Sequence, residues 1–211
     1  GVGAEFDIAL NRADGFEGEV QISVEGVPEG VMISQPLTIQ AGQSRATGSL
    51  HLPANLASTL KEFTVQIASY GMLGDRKIEG GVKIPLLVKV SEKPAMQVKV
   101  VGKNEGSDAP PLSVLEIRPG QTVSAKLLIE RGENMADISF GGDDSGRNLP
   151  HGCYVDNIGL SGLLIPAGQS YREVFITAAP WVLPQSRVFH LRAKVEGNPT
   201  TLPILIRVVH D

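Results

Sequence analysis

Apolar and polar residues alternate along most of the chain with a period of two. Phe6, Ile8 and Leu10 take every second position in 3–12, and Val20, Ile22 and Val24 do the same between Glu19, Gln21 and Ser23. Leu50 and Leu52 continue the pattern, then Phe63, Val65 and Ile67, and KIEGGVKIPLLVKV reads as one long closing strand. A strand with one buried face requires this alternation. Turn formers separate the runs: ADGFEG, VPEG, AGQS and GMLGDR. The second half predicts strands at MQVKVVG, LSVLEI, TVSAKLLIER, ADISFGG, CYVD, 171–178, RVFHLRAKV and TLPILIRVVHD. PANLASTL at 53–60 has room for one helical turn. Pro85, inside the first closing strand, implies an edge position or a bulge.

The pattern occurs twice. Residues 37–71 align without a gap onto 163–197, eight of 35 positions being identical, with AGQS repeated, Phe63 on Phe189 and Gly71 on Gly197. KIPLLVKV at 83–90 matches TLPILIRV at 201–208, Pro85 falling on Pro203. A period near 120 residues is the length of a domain, so the expected architecture is all-β, two tandem immunoglobulin/fibronectin III-like β-sandwich domains at 1–91 and 92–211. A jelly roll is the alternative. SEKPA at 91–95 reads as the linker. Gly1 aligns with Gly120, so the first domain is expected to lack its opening strand or strands, the counterparts of 95–119, as a longer protein cut inside its first repeat would.

Composition narrows the function more than the fold. A net charge of −4 with no basic patch argues against a nucleic-acid partner. No apolar run approaches the length of a transmembrane segment. Cys153 is the single cysteine, which excludes an intrachain disulfide; aligned with Val31, it reads as a small buried hydrophobe.

The candidate chemistry is sparse. His51, His151 and His190 align with Thr177, Glu29 and Thr64, which a duplicated active site would not do, and His190 alternates with Phe189 and Leu191, which favours solvent. Gly159-Leu160-Ser161-Gly162 is followed by Leu163, so the G-x-S-x-G elbow of serine hydrolases fails. Asp143, Asp144 and Asn148, with Asp137 and Asp156 nearby, form an acidic cluster in and around DDSGRN, an insertion that the first unit lacks. Oxygen ligands of this kind suit calcium, but EF-hand spacing is absent and a solvated loop is the default. Trp181, in the corner APWVLPQ, aligns with Asn55; it either covers the end of the core or offers a contact platform. No cofactor is implied.

GFEGEVQISVEGVPEGV and NLPHGCYVDNIGLSGLLIPAGQSYREVFITAAPWV resemble the immunoglobulin-like repeats of large exported planctomycete-type bacterial proteins, often found beside pre-peptidase C-terminal-type domains. The resemblance covers most of both units and rests on turns and strand starts. It implies a non-catalytic module of a secreted or surface protein and carries no catalytic residue. The insertion and Cys153 depart from its pattern.

Two readings follow, with an enzyme disfavoured for want of a site. One is a non-catalytic structural or interaction module whose partners are other domains of the same chain or surface polymers and proteins. The other is an accessory module binding glycans or cell-surface polymer through Trp181, Asp143, Asp144 and Asn148 of the 142–148 loop. In an immunoglobulin-type topology that loop and the Trp181 corner point to the same end. Exposed edge strands also make a homodimer by edge pairing conceivable.

Overall fold

The computed structural model describes residues 2–13, 15–80, 83–90, 96–140, 146–155 and 163–210. The first unit contains β1 (Val2–Ala9), β2 (Val20–Glu25), β3 (Met32–Ile33), β4 (Leu37–Ile39), β5 (Arg45–Leu52), a single helical turn α1 (Ala54–Ala57), β6 (Glu62–Leu73), β7 (Arg76–Glu79) and β8 (Ile84–Lys89). The second contains β9 (Gln97–Gly102), β10 (Val114–Ile117), β11 (Thr122–Glu130), β12 (Ile138–Ser139), β13 (Cys153–Val155), β14 (Leu164–Ile165), β15 (Tyr171–Ala178), β16 (Gln185–Phe189) and β17 (Ile204–Val208). The protein is all-β. In the second unit the order β9-β11-β15-β13 faces β10-β17-β16, the two-sheet arrangement of an immunoglobulin-type sandwich. In the first unit β1-β5-β3 faces β4-β2-β6, with β7 and β8 both pairing β6.

Strand pairing places the repeat in register. Gly3 lies opposite His51 in the first unit, and their sequence counterparts Thr122 and Thr177 lie opposite each other in the second. Met32 opposite His51 repeats as Tyr154 opposite Thr177, which puts Cys153 on Val31 as aligned. Cys153 is buried, and burial raises its thiol pKa, so it packs as a small hydrophobe. The repeat breaks in the closing hairpin. Phe63 faces Val88, whereas Phe189 faces Ile204 in place of Ile206, the residue aligned with Val88. A slip of two residues keeps every side chain on its own face, so both cores survive it. The closing strand of the first unit is also shorter than its apolar pattern suggested. Residues 76–79 fold back on β6 as β7, leaving β8 to begin at Ile84.

The core of the second unit is one continuous cluster centred on Leu127, Phe140, Ile165, Phe189 and Ile206, all fully buried. The first unit has two smaller clusters that share Phe6. The repeated AGQS turn is held the same way in both. Arg12, just beyond β1, donates to the carbonyls of Gln40 (2.7 Å), Gln43 (2.8 Å) and Gly18 (2.5 Å). Arg131, its counterpart after β11, donates to Pro166 (2.5 Å), Gln169 (2.6 Å) and Ala136 (2.5 Å). The planar guanidinium spreads five donors over three nitrogens in a fixed fork, a reach that the single nitrogen of an ammonium lacks. Each arginine therefore ties the end of one strand to the turn that starts another.

Replacing Arg131 with Ala is expected to cost about 2–3 kcal/mol, the scale of lost charge-assisted hydrogen bonds, and Arg131→Lys should recover less than half of it. Urea unfolding of the two variants against the parent protein checks this.

Candidate functional site

The polar groups that the two copies do not share converge on the seam between the units. Glu5 lies on β1 on the face opposite Phe6; its aligned residue in the second unit is Ser124. Its carboxylate is 9% exposed and meets three cationic or ionisable groups, all from the second unit. Arg147 Nε lies 2.5 Å from Oε2, His190 Nε2 lies 2.9 Å from Oε2, and Arg192 Nη1 lies 2.6 Å from Oε1. A second contact runs nearby. Arg187, buried on β16, approaches Glu19 at 4.0 Å and, with the Gln40 amide turned to present its oxygen, donates to it at 3.0 and 3.3 Å. Burial lowers the Arg187 pKa, and the Glu19 charge raises it against that.

Each side chain reaches the seam for a local reason. Val188 and His190 alternate with the core residues Phe189 and Leu191, so they leave the opposite face of β16. That side is not open to water: Glu5 of β1 lies against His190, which is 0% exposed. The solvent position expected from alternation is thus corrected: period two gives the direction of a side chain and not what lies in front of it. Arg147 comes from the insertion. Its backbone forms an antiparallel bridge with His190, N to O at 2.9 Å in one direction and 3.3 Å in the other, so the added segment extends β16 and delivers a guanidinium to Glu5. Gly3 bridges Thr200, whose N–H donates to the Gly3 carbonyl at 3.1 Å. A Cβ at position 3 would collide with the Thr200 backbone, so only glycine allows this approach. Ser34 and Ser49, both fully buried, bond each other within the first unit: Ser49 N–H donates to Ser34 Oγ at 2.9 Å and Ser34 N–H to the Ser49 carbonyl at 2.8 Å.

The ligand residues expected from sequence are only partly brought together. Trp181 is 59% exposed, and its ring lies 5.1 Å from that of His151 at an interplanar angle of 50°. It rests on the turn 149–152, where Gly152, at φ +87°, has no room for a Cβ against the indole. Asn148 sits just before that turn, at φ 70°, and its amide donates to the Val188 carbonyl at 2.8 Å. Asp143 and Asp144 lie outside the described residues, as do Asp156 and the GLSG string. Asp137 accepts from the Ala167 N–H at 2.7 Å, fixing the second AGQS turn. Among the described residues no group of three or more potential metal ligands occurs.

His51, on β5, borders a cavity of about 220 Å³ at the seam, with Val98, Lys99, Glu130 and Leu202 on the other side. Its Nδ1 is buried without a hydrogen-bond partner. Burial lowers its pKa from 6.5 to about 4.

Sequence reasoning passed over Glu5, Arg147 and Arg192. The signal was present in the alignment of the copies: Glu5 stands on Ser124, His190 on Thr64 and Arg192 on Gln66. Charges gained in one copy alone mark the surface where the copies meet.

No family model matches the chain, and no curated protein matches it. Among solved structures, a protein of unknown function from Porphyromonas gingivalis W83 is similar over 99% of this chain and 91% of its own, at 12% identity and a TM-score of 0.34. The C-terminal domain of the Streptococcus pyogenes antigen I/II-family protein AspA covers 98% of this chain and 91% of its own, at 9% identity and a TM-score of 0.28. Zebrafish RET cadherin-like domains 1 to 4 cover 89% of this chain and 40% of their own, at 8% identity and a TM-score of 0.24. Likenesses this distant carry no argument about function.

The depressed His51 pKa makes a signed prediction. Between pH 6.5 and 4 the unfolded chain binds a proton at His51 that the folded chain does not, so stability is full above 6.5 and declines as pH falls towards 4. The loss should be about 2–3 kcal/mol at most, and His51→Thr, which installs the residue of the other copy, should flatten that part of the pH–stability curve. Thermal melts of both proteins from pH 7 to 4 measure it.

Proposed function

We propose that the chain is a non-catalytic structural and interaction module of a larger secreted or surface protein, in which two sandwiches act as one rigid spacer. The observation that carries this reading is the burial of Glu5 between Arg147, His190 and Arg192 of the other unit. A buried carboxylate held by three partners fixes orientation, because any hinge motion breaks several charge-assisted contacts at once. Rigid presentation is a mechanical role, and it accounts for charge differences between the copies that a duplicated catalytic centre does not. The resemblance to repeats of exported proteins supports the placement outside the cell. The partners in this reading are neighbouring domains or surface polymers.

A second reading rests on Trp181. An exposed indole beside an imidazole is a usual platform for a sugar ring, so an accessory glycan-binding role at the 149–152 turn and the Trp181 corner is the alternative.

Backbone nitrogen relaxation separates a rigid spacer from two tethered beads. The intact protein is expected to tumble with one correlation time for both units, whereas Glu5→Ala gives two and loses about 3–5 kcal/mol of stability. Independent tumbling of the unaltered protein would overturn the spacer reading. For the alternative, glycan-array binding is expected to vanish in Trp181→Ala; binding that persists removes the site.

A further inference from the structure

The two copies differ in what lies beside their closing strand. In the second unit β17 is paired on both sides, antiparallel with β16 and parallel with β10, where Val114 faces Leu205 and Ile117 faces Val208. The Leu205 N–H donates to the Ser113 carbonyl at 2.8 Å. In the first unit β8 pairs with β6, and no described strand occupies the place of β10. The Val90 N–H donates towards Lys61 at 2.9 Å, so even-numbered amides of β8 face β6. Leu87, the counterpart of Leu205, therefore turns its N–H outward. Pro85, which has no N–H, falls on the same outward edge, where its missing donor costs nothing.

The core under this edge is also uncovered. Phe189, Ile204, Ile206 and Val208 are at most 3% exposed. Their counterparts Phe63, Leu86, Val88 and Val90 are all only partly buried. In the second unit β10 contributes Leu115 and Ile117 to the core at this position. The first unit instead leaves Ile84, on the same face as Leu86 and Val88, 61% exposed. Another edge strand, β1, differs: its edge is met by Thr200 of the second unit at Gly3.

We infer that β8 is an acceptor edge for an extended polypeptide strand from outside these 211 residues, which joins it in parallel and places two alternate apolar side chains over Phe63, Leu86 and Val88. The occupant is specified by β10: a short strand with apolar residues at alternate positions, such as Val-Leu-Glu-Ile, preceded by a residue whose carbonyl accepts from the Leu87 N–H as that of Ser113 does from Leu205. Main-chain bonds supply the attachment and the two inward side chains supply selectivity. This surface is independent of the seam, so it stands or falls apart from the spacer reading.

The test uses a synthetic peptide with the sequence of residues 112–119 and a scrambled control, added to the intact chain. The expected result is saturable binding with amide exchange at Leu87 slowed by about tenfold or more, and no effect from the control. Weak affinity in trans is removed as an excuse by fusing the same eight residues directly ahead of Gly1, which stands on Gly120 of the natural β10–β11 turn. The fused strand should slow Leu87 exchange and raise Tm by several degrees relative to a scrambled fusion, as about 1 kcal/mol or more of added burial would. Equal Leu87 exchange and Tm in the two fusions overturns the inference. So does concentration-dependent protection of Leu87 without peptide, which assigns the edge to β8 of a second copy.

Discussion

Glu5 is the residue on which the arrangement of the two units depends. A carboxylate taken out of water is tolerated when its oxygens are met by donors, and the three partners come from two segments of the second unit. Arg147 requires the insertion, and His190 and Arg192 require the chain just beyond β16. Each segment is also positioned by its own hydrogen bonds: Arg147 and His190 by their mutual bridge, Asn148 by the Val188 carbonyl. The seam is therefore a cationic socket in one copy and a single acidic plug in the other. Duplication gave two equivalent sandwiches; a few charge substitutions made their contact one-way.

Within each unit the comparable constraint is the arginine that follows the first strand of the pair. Arg12 and Arg131 satisfy carbonyls that a tight turn leaves without partners. This explains why AGQS recurs while its surroundings drift. Ala, Gly, Gln and Ser fit the backbone of the turn, and the arginine collects the carbonyls on its inner side. No ligand is needed to account for the repeat.

Much of the fold was legible because it is written in periodicity and in self-comparison. The gapless match of 37–71 to 163–197 anticipates the paired register of Gly3–His51 and Thr122–Thr177, and Pro85 announces an edge. Features decided by a single backbone bend were not legible. The turn into β7 was legible in GMLGDR, but the break between β7 and β8 has apolar residues on both sides, so that string read as one strand. The site was less legible still. His190 alternates correctly, yet its environment is set by Glu5, 185 residues away, and no local pattern encodes that distance. Trp181 stood out in its Pro-rich corner, but its exposure was not legible there, and the use of Asn148 as a bond to Val188 was hidden by its place in an acidic string.

The chemistry of the seam has a consequence for synthesis. β8, the last strand of the first unit, is made about a hundred residues before Arg192 leaves the ribosome. Until then the face that will meet the second unit is presented to water. Ser34 and Ser49 already satisfy each other, and Glu5 is a hydrated carboxylate, so the waiting face is polar and carries charge. An apolar seam of equal area would spend the same interval as an adhesive surface, the usual route by which half-made repeat proteins misassemble with their neighbours. A polar junction sacrifices some adhesion between the finished units and in return lets the first half wait, folded, for the second.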